Sequence, residues 1–189
     1  MKQKIVLASG NKHKLKEIKE ILSDYDIVSC GEMGFNQDID ETGTTFYENA
    51  LIKAKTVAEA LGCPALADDS GICVDALNGA PGIYSARYAG DGVDEHNNQK
   101  ILSQLTGVED RRARFVCCMV YYTPDGVIKT ATGTTEGEIT HEPKGENGFG
   151  YDPIFFSYDL SECLGVASSE DKNKISHRYR ALMKLKELL

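Results

Sequence analysis

Two pairs of acidic residues in the chain have the types needed for metal and acid–base chemistry, Asp40-Glu41 and Asp68-Asp69. Magnesium in proteins is usually held by one or two carboxylates, with substrate phosphates completing its coordination shell. The second pair follows the short apolar run 65–67 and precedes a glycine, which predicts carboxylates at the end of a strand, a common active-site position in α/β folds. A carboxylate there would also orient and deprotonate a water molecule. The alternative is that both pairs lie in solvated loops.

A small-residue and basic segment separates the first predicted strand from the first predicted helix, and it contains Ser9, Gly10, Asn11, Lys12, His13 and Lys14. Backbone amides at a helix start carry partial positive charge and bind phosphate groups. A lysine in the first turn is unfavourable without an anion, so Lys14 favours a phosphate-binding role. The segment is not a Walker motif, because the pattern G-x-x-x-x-G-K-[ST] is absent. The alternative is a simple turn followed by a solvated basic helix face.

Three glycines surround the aromatic residues Phe149 and Tyr151, in a segment that runs from Gly145 to Pro153. Such a loop lets a flat ring stack on an exposed aromatic side chain, as in proteins that bind nucleobases. The alternative is a β-turn with Phe149 in the core.

Donor-bearing side chains recur near the C-terminus, at Lys172, Ser176, His177 and Arg178. Lysine, arginine and protonated histidine only donate hydrogen bonds, so together they suit a keto oxygen or a phosphate rather than an amino group. On one continuous helix, Lys172 and Ser176 would be one turn apart and share a face with Tyr179. The alternative is a solvated helix face.

The elements that must position these residues alternate between strand and helix over the first half of the chain. Residues 4–8 predict a strand, and the spacing of Leu15, Ile18 and Leu22 predicts a helix to about residue 24. A short strand near residues 26–29 follows. Thr45 and Glu48 match a capping box that starts a second helix, and Gly62 ends it.

The second half of the chain predicts more strand. A helix is expected around residues 94–105, followed by strands 114–122 and 127–134 joined by a hairpin turn. Residues 151–156 predict one more strand, and residues 169–189 predict a single closing helix. The fold class is therefore α/β, with a mixed central sheet flanked by helices. No repeat or linker divides the chain, so residues 1–189 are expected to form one domain.

Composition and charge exclude several classes of protein. The chain has 189 residues, with 21 basic and 29 acidic side chains and a net charge of −8, which opposes association with nucleic acid. The longest apolar run, residues 115–122, is too short to span a membrane, and the N-terminus lacks the apolar stretch of a secretion signal. A cytoplasmic location is expected. The six cysteines include no C-x-x-C pair and predict reduced, mostly buried thiols.

Taken together, these motifs resemble the inosine triphosphate pyrophosphatase family, also named XTP/dITP diphosphatases, over essentially the whole chain. The likeness rests on Leu7-Ala8-Ser9-Gly10-Asn11 with Lys14, Glu41-Thr42-Gly43, Glu48-Asn49-Ala50 with Lys53, Ala67-Asp68-Asp69-Ser70-Gly71, Gly79-Ala80-Pro81-Gly82, Gly148-Phe149-Gly150-Tyr151-Asp152-Pro153 and Ser176-His177-Arg178.

The resemblance implies hydrolysis of ITP, dITP and XTP to the nucleoside monophosphate and pyrophosphate, with Mg²⁺ as cofactor. It also implies an elongated, two-lobed single domain with the active site in a cleft, and a homodimer. Asp69 would be the general base and a metal ligand, beside the metal ligand Glu41 and with support from Asp68. The substrate-binding residues would be Ser9, Gly10, Asn11, Lys12, His13, Lys14, Lys53 and Ser70 together with Phe149, Gly150, Tyr151, Asp152, Lys172, His177 and Arg178, the later group surrounding the base.

Substrate choice follows from the donor-only side chains. They pair with the 6-oxo group of hypoxanthine or xanthine, whereas the 6-amino group of adenine would face other donors at a cost of about 1 to 3 kcal/mol per unpaired buried group. ATP is therefore expected to be rejected. Two other functions remain open, a nucleotide-binding sensor without catalysis and a Maf-type nucleotide pyrophosphatase. The Maf-type start of serine, proline and two arginines is replaced here by Ser9-Gly10-Asn11-Lys12.

Overall fold

Seven strands and five α-helices make up the part of the chain described by the computed structural model, which is residues 2–189 without the side chain of His13. The strands are β1 (Lys4–Leu7), β2 (Asp26–Ser29), β3 (Ala65–Val74), β4 (Arg112–Tyr122), β5 (Ile128–Ile139), β6 (Phe155–Ser157) and β7 (Glu162–Cys163). The helices are α1 (Lys12–Ile21), α2 (Phe46–Leu61), α3 (Asp94–Gln104), α4 (Ser169–Ile175) and α5 (His177–Lys186). Short 3₁₀ helices span Gly31–Met33, Asp75–Leu77, Gly82–Arg87 and Asp152–Ile154.

The strands form one mixed sheet in the order β2-β1-β3-β4-β5-β6-β7. Strand β1 is parallel to β2 and β3, and β6 is antiparallel to β5 and β7. Ile5, Val6 and Leu7 of β1 are all fully buried, as expected for a parallel strand with neighbours on both sides. The predicted α/β class with a mixed sheet flanked by helices is confirmed.

Cα packing divides the chain into two compact units. Unit 1 contains the residues up to Asp69, Cys118–Thr132 and Ala181–Leu189, and unit 2 contains Ser70–Cys117 and Gly133–Arg180. The core of unit 1 packs the small face of α2, including Ala50, Ala54 and Val57, on β1, β3 and β4. The core of unit 2 is built from larger side chains, among them Ile72, Ile101, Leu105, Tyr151 and Phe155.

Helix α2 begins at the capping box that the sequence predicts. The Thr45 side chain accepts a hydrogen bond from the Glu48 amide at 3.1 Å, and the Glu48 carboxylate accepts one from the Thr45 amide at 3.2 Å. The same carboxylate also accepts from the Thr44 amide at 2.6 Å, and these bonds lower the pKa of Glu48. Gly62, in the left-handed conformation with φ of 62°, ends the helix.

Strand β3 is longer than predicted, so the expectation that Asp68-Asp69 ends a strand is wrong. Burial resumes beyond the acidic pair at Ile72 and Val74, and β3 continues to Val74 beside β4. The pairing of β3 with β1 stops at Leu66, opposite Leu7. The two carboxylates therefore lie beyond the carboxyl end of β1, the strand that leads into the Ser9–Lys14 segment.

The closing helix is broken at Ser176, which corrects the prediction of one helix over residues 169–189. Ser176 is extended, with φ of −64° and ψ of 144°, and its side chain accepts a hydrogen bond from the Tyr179 amide at 3.0 Å. Ser176 thus caps α5, which explains why the helix restarts there. Lys172 and Ser176 do not share a continuous helix face.

The strand predicted over residues 151–156 is also shorter, because Asp152–Ile154 is a 3₁₀ turn and only Phe155–Ser157 is strand. Pro153 in this turn lacks an amide to donate to a ladder. All six cysteines are free thiols. Three are buried and three are half-buried, so fewer are buried than predicted. No helix within residues 2–189 is long and apolar enough to cross a membrane.

Candidate active site

The turn between β1 and α1 is shaped by its own side chains. The Asn11 amide donates to Ser9 Oγ at 3.2 Å, and the Lys14 amide donates to Asn11 Oδ1 at 3.2 Å. Asn11 therefore caps α1, whose first turn contains no acidic residue. Gly10, Asn11 and Lys12 are exposed, so the positive end of the helix faces solvent. The side chain of His13 lies outside the described part of the structure, and its predicted role stays a prediction.

Lys14 is fixed by the first carboxylate of the acidic pair. Its ammonium lies 2.8 Å from both oxygens of Asp68, whose side chain is only 2% exposed. A buried carboxylate needs such a partner, because an isolated buried charge is very costly. Asp68 thus holds the lysine side chain in one position.

A second lysine joins the two residues predicted as metal ligands. Lys53 Nζ lies 3.1 Å from Glu41 Oε1 and 3.7 Å from Asp69 Oδ1. The fold therefore brings together a loop residue, a residue of α2 and a residue of β3. We call the charged residues of this region the unit 1 cluster; they are Lys14, Glu41, Lys53, Asp68 and Asp69.

Asn49, for which the sequence predicted no role, connects Asp69 of this cluster to the loop that carries Glu41. Its Nδ2 donates to Asp69 Oδ2 at 3.1 Å, and its Oδ1 accepts from the Gly43 amide at 2.9 Å. The side chain is buried, and both its nitrogen and its oxygen have a hydrogen-bond partner. A polar residue next to the apolar stripe of an amphipathic helix, directly before Ala50, is the sequence signal that could have revealed it.

The donor set of Glu41 and Asp69 fits a magnesium ion. Magnesium needs only one or two protein carboxylates when substrate phosphates and water supply the other ligands. No three histidine, cysteine or carboxylate side chains among residues 2–189, His13 apart, form a cage made of protein ligands alone. A magnesium site here would therefore depend on the phosphates of a substrate.

The loop of residues 145–153, called the Phe149 loop below, presents its aromatic ring to solvent. The Phe149 side chain is 70% exposed, which excludes the alternative that it belongs to the core. Its backbone is fixed, because the Phe149 amide donates to Asp152 Oδ2 at 2.8 Å. Asp152 is buried and pairs with Lys172, whose ammonium lies 4.3 Å from the centre of the Phe149 ring. Phe149, Asp152 and Lys172 are thus brought together as predicted.

Gly150 of the same loop is held by two residues of α3 that the sequence analysis did not single out. Asp94 and Asn98 bond the amide and the carbonyl of Gly150, respectively. They are one helical turn apart, and both stand among polar residues in a helix with few apolar side chains. Nothing in that pattern indicated their contact with a loop more than fifty residues away.

Two other predicted residues, Tyr151 and Ser70, belong to unit 2 and are at least partly buried. Tyr151 is buried in unit 2, and its hydroxyl donates to the Ser85 carbonyl at 2.6 Å. Burial raises the pKa of this phenol, and the ring is not part of the exposed loop surface. Ser70 is half-buried on β3.

The last predicted residues lie at the start of α5, not on the helix that carries Lys172. The His177 ring stacks on Phe115, with ring centres 5.1 Å apart and planes 14° apart. Arg178 is half-buried in the first turn of α5. The extended residue Ser176 therefore separates Lys172 from the other two donors.

Comparison with known proteins gives one consistent result. A dITP/XTP pyrophosphatase of Bacillus subtilis is 50% identical, with 97% of this chain and 96% of that protein covered. A dITP/XTP pyrophosphatase of Haemophilus influenzae is 48% identical over the whole of both chains. The solved structure of the Staphylococcus aureus Ham1 protein matches with a TM-score of 0.94 and 46% identity, covering 98% of this chain and 97% of that one. The model of the Ham1 family matches residues 5–188, so this chain belongs to the Ham1 family.

Proposed function

We propose that this chain hydrolyses the non-standard purine nucleoside triphosphates ITP, dITP and XTP to the nucleoside monophosphate and pyrophosphate, and so removes them from the nucleotide pool. The observation that carries the proposal is the unit 1 cluster, in which consecutive carboxylates of β3 each hold a lysine. Asp68 pairs with Lys14 of α1, and Asp69 faces Lys53 of α2, which also contacts Glu41. The names of the relatives, dITP/XTP pyrophosphatase, support the same reaction.

The phosphate end of the substrate suits unit 1. Transfer of a phosphoryl group needs charge neutralisation and positioning more than covalent chemistry. Lys14 and Lys53 supply two positive charges, and the amides at the start of α1 add hydrogen-bond donors. Both lysines are already held by carboxylates, so little side-chain freedom is lost when a triphosphate binds.

Asp69 is the general base in this proposal. Its Oδ2 accepts a hydrogen bond from Asn49 Nδ2, and its Oδ1 faces Lys53. These contacts fix the orientation of the carboxylate for accepting a proton from water. Glu41 and Asp69 would hold Mg²⁺. The ion, when bound, neutralises phosphate charge and lowers the pKa of a coordinated water.

The base end of the substrate suits unit 2. The exposed Phe149 ring offers a stacking surface, and base stacking on an aromatic side chain contributes about 1 to 3 kcal/mol. Lys172, His177 and Arg178 supply donors for a 6-oxo group, and Asp152 holds Lys172 through their ion pair. We assign the discrimination against ATP to these donors.

Two further parts of the proposal concern the state of the protein. We infer a homodimer that acts in the cytoplasm, where nucleoside triphosphates are made and used. Sedimentation of the purified protein at several concentrations measures the oligomeric state. We expect the mass of a dimer, and the mass of a monomer at all concentrations would contradict the homodimer.

The proposal is tested by steady-state kinetics with Mg²⁺ on ITP, dITP, XTP, ATP, GTP and a pyrimidine triphosphate. We expect kcat/KM for ITP, dITP and XTP to exceed that for ATP by a large factor, and chelation of Mg²⁺ to abolish turnover. Binding without turnover would indicate a sensor. Efficient hydrolysis of pyrimidine triphosphates in place of ITP would favour the Maf-type alternative.

A further inference from the structure

Two side chains on one face of α3 hold the backbone of Gly150 on both sides. Asp94 Oδ2 accepts from the Gly150 amide at 2.8 Å, and Asn98 Nδ2 donates to the Gly150 carbonyl at 3.0 Å. Residues four apart on a helix lie on the same face. One turn of α3 therefore bonds both polar groups of a single loop residue.

This contact falls next to the exposed aromatic ring. Gly150 follows Phe149 directly and has a φ of 61°, a conformation that favours glycine. The Phe149 amide donates a hydrogen bond to Asp152. The backbone is therefore held by side chains at both Phe149 and Gly150. The result is a ring that is 70% exposed on a backbone that is fixed. Loops that serve only to connect elements have no need for such an arrangement.

Asn98 keeps this contact at a cost to the core. The residue is only 6% exposed, and its Oδ1 has no hydrogen-bond partner within residues 2–189. A buried acceptor without a partner is destabilising. A leucine, which has the same number of side-chain non-hydrogen atoms, would remove the unpaired acceptor, so packing alone does not account for an asparagine here. A cost in stability that serves a binding loop is a common sign of function.

We propose that Asp94 and Asn98 are positioning residues, which fix the Phe149 loop so that its ring is ready to stack on the nucleobase. The inference rests on the proposed function, because it needs Phe149 to bind the base. Neither side chain is assigned a contact with the substrate. Their effect is expected on base binding and not on the binding of the phosphate end.

The test compares Asn98→Leu, Asp94→Ala and Asp94→Asn with the wild-type protein. For each, KM and kcat for ITP, the inhibition constant of inorganic pyrophosphate and the melting temperature are measured. Pyrophosphate has no base, so its inhibition constant reports on the phosphate end alone. Asn97→Leu serves as a matched stability control. The Asn97 Oδ1 accepts from the Ala89 amide at 2.6 Å, so that variant loses a hydrogen bond in use and should melt at a lower temperature.

We expect Asn98→Leu to raise KM for ITP about tenfold, the effect of losing roughly one hydrogen bond. Its melting temperature should fall less than that of Asn97→Leu, because removing the unpaired Oδ1 offsets part of the lost bond to Gly150, and pyrophosphate inhibition should stay unchanged. Asp94→Ala should also raise KM. Asp94→Asn should keep most of the wild-type KM, because its amide oxygen still accepts from Gly150.

Three results would overturn the inference. They are an unchanged KM in both Asn98→Leu and Asp94→Ala, a lower melting temperature in Asn98→Leu without a change in KM, or an equal weakening of ITP and pyrophosphate binding. Phe149→Ala separates this failure from that of the proposed function. If Phe149→Ala raises KM for ITP while the α3 variants do not, only the positioning role is wrong. If Phe149→Ala has no effect, the loop does not bind the base and both statements fail.

Discussion

Asp68 and Asp69 are neighbours in the sequence, but their partners give them different roles. Asp68 is almost completely buried and binds Lys14 with both oxygens. Asp69 is partly exposed and faces Lys53 and Asn49. Consecutive residues of a strand point to opposite sides, so one carboxylate can position a lysine while the next takes part in chemistry.

Asp69→Asn is expected to abolish hydrolysis while binding of ITP largely survives. Loss of a general base typically lowers a rate by about 10² to 10⁴, and disturbance of a metal ligand adds to that. Turnover is measured by product release, and binding by calorimetry. The matched variant Asp68→Asn releases Lys14 and should weaken ITP binding instead. Turnover near the wild-type rate in Asp69→Asn would contradict the assignment of the base.

Phe149→Ala is expected to weaken nucleotide binding without lowering the melting temperature. Its ring is 70% exposed, so the loss should come from base stacking, worth about 1 to 3 kcal/mol. Phe155→Ala is the control, because that ring is fully buried and its loss should cost about 3 to 5 kcal/mol of stability. If Phe149→Ala lowers the melting temperature as much as Phe155→Ala does and leaves nucleotide affinity unchanged, Phe149 has only a packing role.

At the scale of elements, α2 and the loop before it supply Lys53 and Glu41 of the unit 1 cluster and position Asp69 through Asn49. Asn49 and Lys53 lie one turn apart on α2, so they face the same side. The Asn49 side chain bonds both the Asp69 carboxylate and the Gly43 amide. Gly43 lies two residues after Glu41, so this bond holds the loop that carries Glu41. The capping box fixes the start of the helix and therefore the place where this loop joins it.

Gly43→Ala is expected to lower hydrolysis by displacing the loop that carries Glu41. An added Cβ would lie 2.6 Å from the Glu48 Cβ and 2.7 Å from Asn49 Oδ1, so the backbone must move. A displacement of about 1 Å can lower a rate by as much as about 10²-fold. Gly31→Ala is the control, since its Cβ would meet only Asn36 Oδ1 at 3.4 Å. Equal kcat/KM for ITP in both variants would show that the loop does not position Glu41.

Glu48→Gln is expected to change how stability depends on pH. Hydrogen bonds from the Thr44 amide and hydroxyl, and from Thr45, lower the pKa of Glu48 in the folded state. Its charged form therefore stabilises the fold above about pH 5, and this contribution is lost as the pH falls through the lowered pKa. The difference in melting temperature between wild type and Glu48→Gln should be full at pH 7 and shrink toward pH 3. A difference that is the same at both values would contradict a role of the charge.

The sequence predicted the elements best where local rules decide them. Thr45, Glu48 and Gly62 follow capping rules, and the structure has α2 between them. The continuation of β3 past Asp68-Asp69 depends on pairing with β4, and the break at Ser176 depends on a cap that a helical pattern conceals. Asn49, Asp94 and Asn98 act through contacts with distant segments, so spacing alone could not identify them.

At the scale of the whole molecule, an acidic chain holds two lysines in fixed positions within the unit 1 cluster. The chain carries a net charge of −8, yet Lys14 lies in the first turn of α1 and Lys53 on α2, each held by a carboxylate. Net negative charge disfavours long polyanions such as nucleic acid, whereas lysines held in fixed positions suit the small polyanion of the proposed function. The Ham1 family match over residues 5–188 includes both the unit 1 cluster and the Phe149 loop.

The central claim is that this chain cleaves ITP between the α and β phosphates. The most direct measurement is ³¹P NMR of ITP incubated with the wild-type protein and Mg²⁺, beside a parallel sample with Asp69→Asn. The account predicts IMP and pyrophosphate as the first products of the wild type, with ITP unchanged in the Asp69→Asn sample. Formation of IDP and inorganic phosphate, or equal product in the two samples, would contradict it.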